Sequence, residues 1–186
     1  MMDLQTLQAE CSACRRCPLC ETRTHVVFGQ GVPDAEVLFV GEGPGQSEDE
    51  QGLPFVGRSG QLLDKYLFAI DLDRGKNCYI ANIVKCRPPQ NRDPLPAESE
   101  ACMPWLRDQF RLLRPKIVVC LGRVAAQRMI RGACQNGLGL RTPQKWNLSR
   151  EAAGQARYQS WASAGCRGIC VMGASSRGAP CQPSTQ

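Results

Sequence analysis

Cys14 and Cys17, separated by two residues near the start of this 186-residue chain, have two distant counterparts in Cys86 and Cys102, which flank a proline-rich loop. A close thiol pair with partners so far along the chain reads as a metal or iron-sulfur site more readily than as disulfides. The segment Cys14-Arg-Arg-Cys17-Pro-Leu-Cys20 places three thiols in one turn-rich stretch, and Cys11 precedes it. Four thiolates suit either tetrahedral zinc or a 4Fe-4S cluster, and ligand count does not choose between them. Zinc ribbons usually show two short pairs. Here Cys86 and Cys102 lie 16 apart, one in a loop and one on an expected helix, a separation that a larger inorganic core tolerates more easily. Cys78 and Cys120, in or beside expected strands, read as small buried hydrophobes.

A second group of residues follows an apolar run. Gly41-Glu42-Gly43-Pro44-Gly45-Gln46 sits where a phosphate or dinucleotide loop would, but Gln46 replaces the glycine that a dinucleotide fingerprint needs, and no P-loop lysine follows. The glycines still let backbone approach a ligand at the carboxyl end of a strand, where open α/β sheets bind substrates. Glu42, Glu48 and Asp49 put carboxylates at that edge, where they read more readily as solvated than as catalytic. Phe55, among glycines in Pro54-Phe55-Val56-Gly57, is either a core plug or a platform for a flat ring. Asn82, inside an expected strand, is either satisfied internally or reads the edge of a ligand, because a buried amide needs partners for its donors and its carbonyl.

The elements that must position these groups alternate. Short apolar runs at 36–40, 79–84 and 116–121 predict buried parallel strands. Between them, residues 60–70 predict a helix with Leu62, Leu63, Tyr66, Leu67 and Ile70 on one face, and 96–113 a helix opened by Pro96 and the acids Glu98 and Glu100. Strands alternating with helices imply an α/β fold, a mainly parallel sheet covered on both faces.

Composition bounds the function. A hydrophobic content of 42% supports a real core, and no stretch approaches the ~18 apolar residues of a membrane helix. The N-terminal residues carry acids and lack an apolar signal core, so a reducing cytoplasm is expected, where cysteines favour metal over disulfides. The net charge of +6 resembles a nucleic-acid signature until it is divided: residues 1–130 hold 16 Lys+Arg and 16 Asp+Glu, whereas 131–186 hold 7 and 1. Net charge therefore does not argue for DNA binding by the ordered part, although Lys85, Arg87 and Arg92 cluster around Cys86 and are expected to meet phosphate.

After Arg131 the texture changes. The last 56 residues contain 8 Gly and 4 of the 12 Cys, without an alternating run or an amphipathic helix. A helix at 122–130 should lead to another strand, and none is legible. The reading divides the chain into an α/β domain at 1–130 and an atypical, poorly ordered tail at 131–186. A reading frame shifted near Arg131 explains cysteine and tryptophan in a Gly/Arg-rich segment better than ordinary disorder does.

Cys14-x-x-Cys17, then GEGPGQSEDEQGLPFVGRSGQLLD at 41–64, ANIVKCRPPQNRDP at 81–94 and Cys102 together closely resemble the family 4 uracil-DNA glycosylases, which carry an iron-sulfur cluster. The resemblance covers about residues 11–130. It implies a three-layer α/β/α fold and a 4Fe-4S cluster held by Cys14, Cys17, Cys86 and Cys102, with Cys20 matching a family cysteine that is not a ligand. It also implies a monomeric enzyme of base-excision repair acting on uracil-containing DNA. Glu42, Gly43 and Glu48 would line the uracil pocket, with Glu42, Glu48 and Asn82 as the catalytic set, Phe55 stacking on the flipped base and Asn82 bonding its edge. The family takes a leaving-group donor from a late loop with a His-Pro motif. This sequence has none, and its sole histidine, His25, reads as ordinary surface. Two other readings stand beside this one: an inactive iron-sulfur nucleic-acid-binding remnant, and a zinc-binding DNA module.

Overall fold

The computed structural model describes residues 3–134 and 168–172. The chain enters through helix α1 (Leu4–Ser12), whose N-cap Asp3 accepts the Thr6 amide at 2.8 Å, and a single turn, α2 (Leu19–Thr22). Strand β1 (Gln30–Gly31) and strand β2 (Val37–Gly41) lead to helices α3 (Gln46–Gln51) and α4 (Arg58–Ala69). Strand β3 (Cys78–Asn82) and a 3-10 turn at Pro89–Asn91 precede the long helix α5 (Pro96–Leu113). Strand β4 (Ile117–Leu121), helix α6 (Arg123–Cys134) and strand β5 (Gly168–Met172) follow.

These strands form one sheet in the order β1-β3-β2-β4-β5. The two-residue β1 runs antiparallel to β3, and the other pairs are parallel, so the sheet is mainly parallel with a short antiparallel edge. Side chains alternate across it, as the pleat requires. Leu38 and Val40 face a cluster with Leu7, Leu106, Phe110 and Met129, so α1, α5 and α6 cover that side. Phe39 and Ile80 face Leu63 and Leu67 of α4 on the other. Helices on both faces make the three layers, and all five residues of β3 are buried, as a strand covered on both faces should be. Truncating a core leucine such as Leu38, 0% exposed, costs about 2–5 kcal/mol.

Three sequence expectations change here. A strand does follow the helix at 122–130: β5 pairs with β4 in register, Val119 opposite Cys170, so the outer edge of β4 is covered. It was hidden because Gly168-Ile-Cys-Val-Met172 is a short run inside Gly- and Arg-rich text. The expected boundary at 130 falls inside α6, which continues to Cys134. On α4 only Leu63 and Leu67 of the five expected face residues are buried, while Leu62, Tyr66 and Ile70 are 49%, 52% and 56% exposed. The contact seam is narrower than the apolar stripe, because the helix buries only Gly60, Leu63 and Leu67. The frameshift expectation and the disorder of the remaining tail lie outside the described residues.

Candidate active site and cysteine pocket

At the carboxyl ends of β2 and β3, Gly41 and Asn82 stand opposite each other in register. Asn82 is 1% exposed, and among the described residues its Oδ1 has no hydrogen-bond partner. Leaving such a buried acceptor unpaired costs about 1–3 kcal/mol, so its retention calls for a ligand or a water. The ring of half-buried Phe55 converges on the same spot: a Cβ built on Gly41 would lie 2.5 Å from both Asn82 Oδ1 and Phe55 Cζ. Only glycine fits at 41. Phe55 itself takes φ 53, the left-handed region that an aromatic residue rarely adopts. Gly60 is required for the same reason of space, since a Cβ there would overlap the Phe55 carbonyl.

The acidic residues divide by what they touch. Glu42 is half-buried beside the loop after β3. Burial raises its pKa, the charge of Asp93 and a hydrogen bond to it raise it further, and Arg123 opposes them. Arg123 in turn lies 3.4 Å from Asp93 Oδ2. Gly43, one residue on, packs against Val84, whose Cγ2 a Cβ would meet at 2.7 Å. Glu48 and Asp49 are not the solvated carboxylates expected: they are 9% and 3% exposed. Glu48 Oε1 accepts the amides of Val56 at 2.9 Å and Gly57 at 2.8 Å, and Oε2 accepts that of Gly45 at 3.1 Å. It therefore fastens the turn carrying Phe55 to the N-terminus of α3, where a carboxylate also suits the helix dipole. Asp49 accepts the Thr24 amide at 2.9 Å, and its carbonyl meets exposed His25 Nδ1 at 2.9 Å.

Behind this edge the chain gathers its thiols. Cys11, Cys14, Cys17, Cys20, Cys86 and Cys102 line one pocket, closed by Trp105, Arg16 and Arg23. All eight described cysteines are free. Among the described residues no three His, Cys, Asp or Glu side chains form a group that could hold a single metal ion. Three of the four expected ligands receive N–H donors: Trp105 Nε1 reaches Cys14 Sγ at 3.3 Å, Arg23 Nη1 reaches Cys86 Sγ at 3.3 Å, and the Lys85 amide reaches Cys102 Sγ at 3.2 Å. Burial raises the pKa of Cys102 to about 11 and that of Cys11 to about 12, with Lys85 pulling both down. Such thiols lose their protons only to a centre that binds them.

Lys85 links the two regions. It is 1% exposed, and its Nζ donates to the Asn82 carbonyl at 3.0 Å and to Gln109 Oε1 at 2.5 Å. Gln109 Nε2 donates in turn to the Phe28 carbonyl at 2.9 Å. Burial lowers the Lys85 pKa to about 8, against the pull of Cys102, Cys11 and Cys86. The expectation that Lys85 meets phosphate is thus corrected: a side chain enclosed by α5 and β3 cannot reach DNA. Arg92 makes a bidentate pair with buried Glu98, at 2.7 and 2.8 Å, and Arg87 Nε donates to Asn91 Oδ1 at 2.7 Å.

Sequence reasoning missed Asp93, Trp105, Arg23 and Gln109, because what gives them a role is proximity across the fold. Trp105 alone left a trace, an aromatic three residues after Cys102 on the same helix. Residues 28–172, ending where β5 ends, match the family described as the uracil DNA glycosylase superfamily. The chain is 49% identical to a type-4 uracil-DNA glycosylase of Archaeoglobus fulgidus over 127 residues, 68% of this chain and 63% of that protein. A type-4 uracil-DNA glycosylase of Thermotoga maritima is 46% identical over 119 residues, 64% and 62% of the two chains. One from Saccharolobus solfataricus is 36% identical over 163 residues, 87% and 69%. The chain spans less than two thirds of the length of several such relatives, 56% in the case of the protein from Sulfurisphaera tokodaii.

Proposed function

We propose, from the premise that this chain belongs to the uracil-DNA glycosylase superfamily, that it hydrolyses the bond between C1′ of deoxyribose and N1 of uracil in DNA. The observation that carries this reading is Asn82 Oδ1, without a partner among the described residues and buried beside the Phe55 ring at the carboxyl end of the sheet. Uracil presents an N3–H donor next to its O4 acceptor. Asn82 Oδ1 accepts the first while the amide nitrogen donates to the second. Cytosine carries an acceptor at N3 and an amino donor at C4, so the same amide rejects it, and a site built to bond a donor discriminates strongly against a base that lacks one. The base must first leave the helix, at a cost of a few kcal/mol of stacking that the half-buried Phe55 ring partly returns.

Bond breaking sends the C1′–N1 electron pair to uracil and leaves a cationic sugar. Glu42 is the carboxylate that would stabilise that cation or hold the water whose oxygen then bonds C1′. Its raised pKa sets the acidic limit of this role. Glu48, with its oxygens taken by three amides, serves by holding the Phe55 turn. The chain carries no His-Pro motif to donate to the departing base.

Cys14, Cys17, Cys86 and Cys102 fit a 4Fe-4S cluster by their donor chemistry, since four sulfurs share a pocket and N–H donors reach three of them. There the cluster would supply a rigid inorganic cross-link between α5, the loop after β3 and the N-terminal segment. The free thiols suit a reducing, cytoplasmic setting.

The test incubates purified protein with a labelled oligonucleotide carrying one uracil, then adds alkali to cut abasic sites. Cleavage at the uracil that depends on enzyme concentration supports the reading. No cleavage at enzyme in large excess defeats it.

A further inference from the structure

Phe55 does not hold its own place. A non-glycine residue at φ 53 is strained and persists only where its surroundings over-determine it. Glu48 holds the turn from one side, through Val56 and Gly57. On the other side stands Arg74, in the loop between α4 and β3, its side chain 14% exposed. Its guanidinium spends five donations there. Nη1 bonds the Pro54 carbonyl at 2.7 Å and Gln30 Oε1 at 3.1 Å. Nη2 bonds the Phe55 carbonyl at 3.1 Å and Asp64 Oδ1 at 2.5 Å, and Nε bonds Asp64 Oδ1 at 3.1 Å.

We propose that Arg74 is a positioning residue for base recognition: its planar fork clamps the Pro54 and Phe55 carbonyls and so keeps the Phe55 ring over the Asn82 acceptor. Two successive carbonyls pointing at one guanidinium fix the two peptide planes that flank Phe55, which no single-point ammonium can do. Asp64 and Gln30 hold the fork in turn, from α4 and β1. Arg74 touches no group that faces the base, so its effect must pass through Phe55.

This inference rests on the reading of Phe55 as the stacking platform, and a double-mutant cycle separates the two. Single-turnover excision from a uracil oligonucleotide is measured for wild type, Arg74→Lys, Phe55→Ala and the double variant. Arg74→Lys keeps the charge and loses the fork. It is expected to lower kcat/KM about tenfold, in the range that small misplacements cost, and to have no further effect once Phe55 is alanine. An unchanged kcat/KM in Arg74→Lys, or the same loss in both backgrounds, overturns the proposal, since a general scaffolding role would act whether or not the ring is present. Full activity in Phe55→Ala refutes the stacking reading instead. If Arg74→Lys does not fold, Asp64→Asn serves: Asp64 is 53% exposed, the expected loss is about threefold, and the same two outcomes decide.

Discussion

Replacing Glu48 by glutamine separates a residue that holds a loop from one that acts on substrate. The carboxylate accepts three backbone amides, from Gly45, Val56 and Gly57, at 3.1, 2.9 and 2.8 Å. Hydrogen bonds to a charged group contribute about 1.5–3 kcal/mol each, and an amide left unpaired in a buried position loses its water as well. Glutamine keeps one carbonyl acceptor but turns an NH2 group toward a donor, so one or two of the three bonds go. The expected loss is about 2–4 kcal/mol, a large part of the roughly 5–15 kcal/mol that stabilises a domain. Urea denaturation monitored by circular dichroism reads it as a lower midpoint at unchanged slope. Excision should fall too, because the Phe55 turn loosens. A Glu48→Gln protein of wild-type stability whose kcat drops by two orders of magnitude would show that Glu48 meets the reacting atoms, and the loop-holding role would be wrong.

Asp93→Asn should move the acidic limb of the kcat/KM profile to lower pH. Asp93 helps hold the Glu42 carboxyl above its ordinary range, so wild-type activity is lost on acidification sooner than it is with that charge removed; a limb that stays in place contradicts the role given to Glu42. Asn82→Ala should abolish discrimination between uracil and cytosine and cut excision by at least about 10²-fold, yet leave stability within about 1 kcal/mol, because the unpaired acceptor it removes stabilises nothing in the free protein. Thermal melts alongside the activity assay check both halves. Cys86→Ala should lose iron and solubility together, and a soluble, active variant would show that the cysteine pocket does not hold the loop after β3.

Much of the frame was legible in the sequence because its signals are local. The strands β2, β3 and β4 are apolar runs, and α5 announces itself with Pro96 and Glu98, the latter accepting the Leu95 amide at 2.8 Å. Phe55 and Asn82 stood out because an aromatic among glycines and a polar residue within a buried strand break their local pattern. The rest depends on contacts between distant segments. Nothing local distinguishes Glu48, whose partners Val56 and Gly57 lie in the next turn, from a solvated glutamate. Lys85 looked like a phosphate ligand beside Arg87, and only the packing of α5 against β3 shows it enclosed with Gln109. The wide apolar stripe of α4 misled because the helix buries only its Gly60–Leu63–Leu67 line. β5 escaped because five residues within Gly-rich text carry no periodicity that outweighs their surroundings.

The most direct test of base recognition compares single-stranded oligonucleotides carrying deoxyuridine or N3-methyldeoxyuridine, with base release measured under enzyme excess. The methyl group removes the one donor that Asn82 Oδ1 is proposed to accept and leaves the glycosidic bond intact. Release of uracil with no release of 3-methyluracil is the predicted result; release of both at comparable rates would contradict the assignment of Asn82 as the group that reads the base.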